Sequence, residues 1–189
     1  MLILARHGRT EANARGLLQG HMDLPLDDEG KRQAAAIGRS LGRVDAVISS
    51  PLLRARQTAA HIDGPLTIDE RWIELDYGAL DGMPLKDVPR DLWATWRADV
   101  TYAPGGGESI LALVQRLTPA LQELAEQAQE GTVVVVTHVS PIKAALAWTL
   151  GAPPELAWRS HLDQAALTRI AFGGFGPVLH GFNETSHLL

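Results

Sequence analysis

Four consecutive valines, Val133 to Val136, followed at once by Thr137-His138, constrain this chain more than any other segment. A strand that is apolar at every position must be covered on both faces. Parallel sheets flanked by helices on each side supply that environment. The rest of the sequence keeps the matching rhythm. Leu2 to Ala5 is a short strand-like run that ends at Arg6-His7-Gly8. Asp28 to about Leu41 carries Ala34, Ala35, Ile37, Gly38 and Leu41 at helical spacing. Asp45 to Ile48 reads as a second strand. Ser50 then reads as the N-cap, and Pro51 as the first position, of a helix running to near Gly64. Leu66 to Ile68 is a short strand, Ser109 to Gln129 the longest amphipathic helix, and Pro141 to Leu150 another helix. Leu167 to Phe172 and Val178 to Phe182 form a closing antiparallel pair. Arg71 to Tyr102 has no regular pattern. Strands alternating with helices predict an α/β three-layer sandwich, with a mostly parallel sheet and helices on both faces. Its length predicts a single domain over 1–189.

Composition excludes several classes of function. The chain has no cysteine, which removes disulfides, thiolate nucleophiles and thiolate metal sites together. A net charge of -5 argues against a nucleic-acid partner, although arginines gathered in a cleft can still hold a small anion. No run approaches the ~20 apolar residues that span a bilayer, and no basic segment precedes the N-terminal run, so neither a membrane anchor nor a signal peptide is expected. A cytoplasmic enzyme is the simplest reading, with monomer and homodimer equally compatible. His21, His61, His161, His180 and His187 lack metal-ligand spacing and read as structural or exposed.

Three chemically loaded residues fall at equivalent places. His7 follows the first strand, Arg54 lies in the first turn of the helix after the second, and His138 follows the valine strand. Ligands of open parallel sheets bind beyond the carboxyl ends of the strands, so these residues converge if the three strands are neighbours. Two arginines and two histidines in one cleft suit a phosphoryl group. Arg6 and Arg54 can fork onto its non-bridging oxygens. His7 can attack phosphorus through its distal ring nitrogen if a backbone carbonyl holds the proximal N–H. Gly8 is read as allowing the backbone close to the anion, with Thr10 and Asn13 as neutral donors. Glu74, flanked by apolar and aromatic residues, suits a proton donor to the leaving alkoxide, with Asp76 and Asp81 as competing carboxylates.

On these residues the chain resembles the histidine phosphatase superfamily, also called phosphoglycerate mutase-like. The resemblance runs in order through Arg6-His7-Gly8-Arg9-Thr10-Glu11-Ala12-Asn13, Gln19-Gly20, Ser50-Pro51-Leu52-Leu53-Arg54, Glu74 with Tyr77-Gly78 and Asp81-Gly82. It continues through Gly106-Gly107-Glu108-Ser109, Val136-Thr137-His138 and the tail from Phe182 to Leu188. It implies a phosphohistidine at His7, with Arg6, Arg54 and His138 gripping the phosphoryl oxygens. Thr10, Asn13, Gln19 and Gly20 would lie around them, Glu74 would act as proton donor, and no metal or other cofactor would be needed. It divides evenly between the α-ribazole phosphatase and broad-specificity phosphatase branches. Arg9 stands where the family usually has an acidic residue, and Val139-Ser140-Pro141 where it commonly has glycines, which predicts a narrower pocket rim. The implied activity is hydrolysis of small phosphomonoesters. The alternatives are a phosphoglycerate mutase, for which the chain looks short, and a non-catalytic phosphate-binding module.

Overall fold

The computed structural model describes residues 1–189 and is built around one six-stranded sheet. The strands are β1 (Leu2–Arg6), β2 (Ala46–Ser49), β3 (Leu66–Ile68), β4 (Val133–Thr137), β5 (Leu167–Gly173) and β6 (Gly176–Glu184), in the order β3-β2-β4-β1-β5-β6. The pairings among β3, β2, β4 and β1 are parallel, and β5 and β6 add an antiparallel edge. The valine strand sits centrally, as its composition requires. Val133 and Val135 point into a core shared with α5 (Ile110–Glu130) and α6 (Val139–Thr149). Val134 and Val136 enter a second core shared with α2 (Asp28–Leu41) and α3 (Leu53–Ala59). The same alternation runs along β1, with Leu2 and Leu4 on one side and Ile3 and Ala5 on the other. The three-layer arrangement therefore stands as predicted.

Two local expectations are corrected. The helix carrying Arg54 begins at Leu53, with Leu52 as its N-cap, and stops at Ala59. Ser50 lies ahead of the cap: its hydroxyl accepts from Leu52 N at 3.3 Å and from His138 Nε2 at 2.7 Å, and the helix starts only after that turn. The stretch left irregular contains α4 (Arg90–Ala98), which follows the short α1 (Glu11–Ala14) and α2 and α3 in chain order and buries Trp96. No helix is long and apolar enough to cross a membrane.

Candidate active site

The carboxyl ends of β1, β2 and β4 converge because their hydrogen-bond ladder continues past the strands. His7 N donates to Thr137 O at 3.0 Å, and Ser50 N donates to Val136 O at 2.9 Å. The His7 and His138 rings lie 5.0 Å apart between centroids. Both are buried, at 3% and 0% exposure.

Their tautomers follow from their partners. His7 Nδ1 lies 2.7 Å from Gly8 O, which can only accept, so Nδ1 carries the proton and Nε2 the lone pair. Arg54 Nε–H is shared between that lone pair and His138 Nδ1, at 3.2 Å to each. His138 Nδ1 thus accepts, and Nε2 donates to Ser50 Oγ at 2.7 Å. Burial, followed by the charges of Arg54 and its neighbours, holds both imidazoles well below the ordinary histidine value, so both are neutral at neutral pH.

Arg54 is wholly buried. Its terminal nitrogens donate to Met22 O at 2.7 Å and Gly20 O at 2.8 Å. Burial pushes its pKa down to about 10, against the opposing pull of Glu74, Asp81 and Asp23, and it stays cationic. Asp81 organises this cradle from behind. Its carboxylate accepts from Gly20 N at 2.7 Å and Met22 N at 2.9 Å, the two residues whose carbonyls hold the guanidinium.

A cavity of about 240 Å³ opens beside His7, lined among others by Arg6, Asn13, Gln19, Glu74 and Gln164. Arg6 donates through one terminal nitrogen to Leu162 O at 2.6 Å. Its Nε and the Gln19 Nε2 are buried donors without a protein acceptor. Such groups are costly to bury unless a ligand supplies acceptors. Asn13 Oδ1 takes the Thr10 N–H in a capping box at the start of α1. Its amide NH2 has no protein partner.

Glu74 is buried among backbone donors. Oε1 accepts from Leu75 N at 2.7 Å and Ser140 N at 3.1 Å, while Oε2 has one close donor, Val139 N at 3.1 Å. Desolvation outweighs these bonds and raises its pKa above the usual carboxyl value, so the less engaged Oε2 can carry a proton. The segment that departs from the family glycines thus holds this carboxyl at the start of α6. Pro141, the third residue of that helix, contributes no N–H.

The remaining predicted residues sit in supporting positions. Thr10 is buried and donates to Gln19 Oε1 at 2.6 Å, and Gly20 has its N–H on Asp81; neither lines the cavity. Arg54 and His138 do not line this cavity; the Arg54 Nε–H meets His7 at Nε2, the ring atom that bears the lone pair, and His138 at Nδ1. Of the competing carboxylates, Asp76 accepts from Gly78 N and Asp81 from the Arg54 cradle, which leaves Glu74 alone on the cavity wall. Gly8 has a different reason to be glycine: a Cβ there would lie 2.4 Å from Gly30 O of α2, so helix packing requires it. Glu108 pairs with Arg116 at 2.7 Å and Ser109 caps α5, away from His7. Three supporting groups had no sequence signal: Ser50 on His138, the Thr58 hydroxyl on Gly8 N at 3.0 Å, and His21 Nε2 on Glu74 O at 2.9 Å.

A mostly parallel sheet that gathers a buried carboxyl, two arginines and two neutral histidines at its carboxyl edge defines a phosphoryl-handling class of protein. The chain belongs to the histidine phosphatase superfamily, branch 1, whose family model matches residues 2–185. It is 33% identical to phosphoserine phosphatase 1 of Hydrogenobacter thermophilus, over 99% of this chain and 93% of that one. It is also 33% identical to a bifunctional protein of Mycobacterium tuberculosis, but spans only 54% of that protein's length. Among solved structures, a phosphoserine phosphatase mutant of Entamoeba histolytica in complex with phosphoserine superposes with a TM-score of 0.92. It is 31% identical and covers 100% of this chain and 98% of its own. The same enzyme is also known in complex with 3-phosphoglyceric acid.

Proposed function

We propose that the chain is a metal-independent phosphatase of small phosphomonoesters, acting as one cytoplasmic domain through a phosphohistidine on His7. The observation that carries this is the His7 tautomer: Nδ1–H is fixed on Gly8 O, and the Nε2 lone pair is held only by a long bond shared with His138. A shared donor at 3.2 Å is released at little cost, because it can retreat to His138 Nδ1. Nε2 then bonds to phosphorus as the P–O ester bond breaks. The leaving alkoxide takes the proton from Glu74. In the second half the Glu74 carboxylate takes a proton from water, the water oxygen bonds to phosphorus, and the P–N bond breaks. Arg6 and Arg54 stabilise the charge on the phosphoryl oxygens in both halves.

The test is rapid-quench labelling with a 32P-phosphomonoester. An alkali-stable, acid-labile phosphoenzyme is expected in the wild type and absent in His7→Ala, with turnover lower by roughly a thousandfold or more. Wild-type turnover in His7→Ala would overturn the reading. Analysis of products decides the acceptor: free phosphate marks water, and interconversion of 3- and 2-phosphoglycerate marks a mutase. Phosphate binding without any turnover marks a recognition module.

A further inference from the structure

A second, larger cavity of about 300 Å³ adjoins the phosphoryl cavity, and Leu18, Tyr77, Leu85 and Val139 belong to both walls. Its character is different. Ser140 and Lys143 are its only lining residues that are not hydrophobic. One side is an aromatic cluster in which Trp93 stacks on Trp96 at 5.2 Å and 9°, while Trp158 stands edge-on to Trp96 at 5.2 Å. Taking one water's share of liquid volume as a rough measure, the space holds on the order of ten non-hydrogen atoms. That exceeds what the carbon skeleton of a three-carbon phosphate ester fills.

Lys143 lies one turn along α6 from Val139. Its ammonium is half-buried, donates to Ala157 O at 3.0 Å, and takes part in none of the ion pairs of the fold. An ammonium without a counter-ion in an apolar wall is unfavourable unless a ligand brings a negative group. Burial depresses its pKa, with Glu74 opposing, as expected for a cation close to the site and lacking a pair.

We propose that this chamber is the alcohol subsite, and that it selects phosphomonoesters whose alcohol is a flat, ring-bearing group with a carboxylate that pairs with Lys143. The proposal rests on the phosphatase reading above and names its substrate class. The Trp93, Trp96 and Trp158 cluster, whose faces are partly taken by one another and by the Arg97 guanidinium, would wall the ring, and the ester oxygen would sit at the shared wall, within reach of Glu74.

The test compares kcat/KM for phenyl phosphate, 3- and 4-carboxyphenyl phosphate, glycerol 3-phosphate and phosphoserine. A carboxyphenyl ester is expected to be the best substrate, with both aryl classes ahead of glycerol 3-phosphate. Lys143→Met should lower the ratio of carboxyphenyl to phenyl phosphate by about tenfold or more, the fold-change carried by a charge-assisted hydrogen bond. Ala157→Trp, which fills the chamber, should depress both aryl esters relative to glycerol 3-phosphate. In the His7→Ala background, hydroxybenzoates should quench tryptophan fluorescence, and Lys143→Met should weaken that binding. A preference for phosphoserine or glycerol 3-phosphate, or an unchanged selectivity ratio in Lys143→Met, overturns the chamber assignment while leaving the phosphatase intact. Hydrolysis of none of the five esters removes the phosphatase reading and this proposal together.

Discussion

Asp81 touches neither cavity nor histidine, yet its removal should slow the reaction. In Asp81→Ala, two peptide N–H groups lose a carboxylate that they meet at 2.7 and 2.9 Å. Bonds to a charged acceptor contribute roughly 1.5–3 kcal/mol each, and at this half-buried position the lower figure applies, giving about 3 kcal/mol of lost ordering. The freed N–H groups belong to Gly20 and Met22, whose carbonyls hold Arg54, so part of that loss appears as displacement of the guanidinium. Arg54 as an oxyanion donor is itself worth on the order of 3 kcal/mol in the transition state. If a third to a half of that is forfeited, kcat/KM falls by about 5- to 15-fold. Asp81→Asn retains one acceptor oxygen and should fall between the variant and wild type. The assay is steady-state phosphate release, paired with vanadate inhibition, because vanadate takes the five-coordinate geometry of the transition state. Vanadate affinity should weaken in step with kcat/KM. If Asp81→Ala has a lower Tm but wild-type kcat/KM and vanadate affinity, Asp81 only stabilises the loop and the reasoning fails.

Other predictions follow from the same geometry. Glu74→Gln should lower kcat by about 10²–10⁴-fold on alkyl esters, and by much less on aryl esters whose leaving group needs no proton; equal losses on both would remove Glu74 as the acid. Burial holds the His7 and His138 pKa values below the unfolded 6.5, so their contribution to stability is complete above that pH and is lost as pH falls through it. Glu74 acts in the opposite sense, since its raised pKa favours the fold on acidification near 4.5. With two imidazoles against one carboxyl, Tm should be level from about pH 8 to 7 and decline by several degrees toward about pH 5; a level or rising Tm there contradicts the buried neutral histidines. Activity should persist in excess chelator, and its loss would point to a metal-assisted reaction.

The regular parts of the fold were legible because each obeys a local rule. The span of α2 was readable from its helical spacing, and the valines announced a doubly covered strand. The histidines and arginines of the site were legible for a topological reason, since residues trailing neighbouring parallel strands must meet. Supporting groups were not, because a hydroxyl such as Thr58 finds Gly8 across 50 residues, and no local spacing encodes that meeting. Ser50 misled in part: its hydroxyl does take a backbone N–H, that of Leu52, but in the turn before the helix, and its other partner is a histidine 88 residues away. The α4 helix escaped notice because it is one of several short pieces between prolines, although Leu92, Trp93 and Trp96 do share one helical face.

The order of strands in the sheet bears on how the molecule is made. β1 leads directly into His7, and its two sheet neighbours are β4 and β5, both in the last third of the chain. During synthesis the first strand therefore emerges with no partner and must stay unpaired until well over a hundred further residues have been added. Only then does the edge that aligns His7 with His138 come into being, so the candidate site is among the last features a newborn chain acquires. Such long-range pairing is slow, and an unpaired apolar strand is the segment that chaperones and misassembly would both find first.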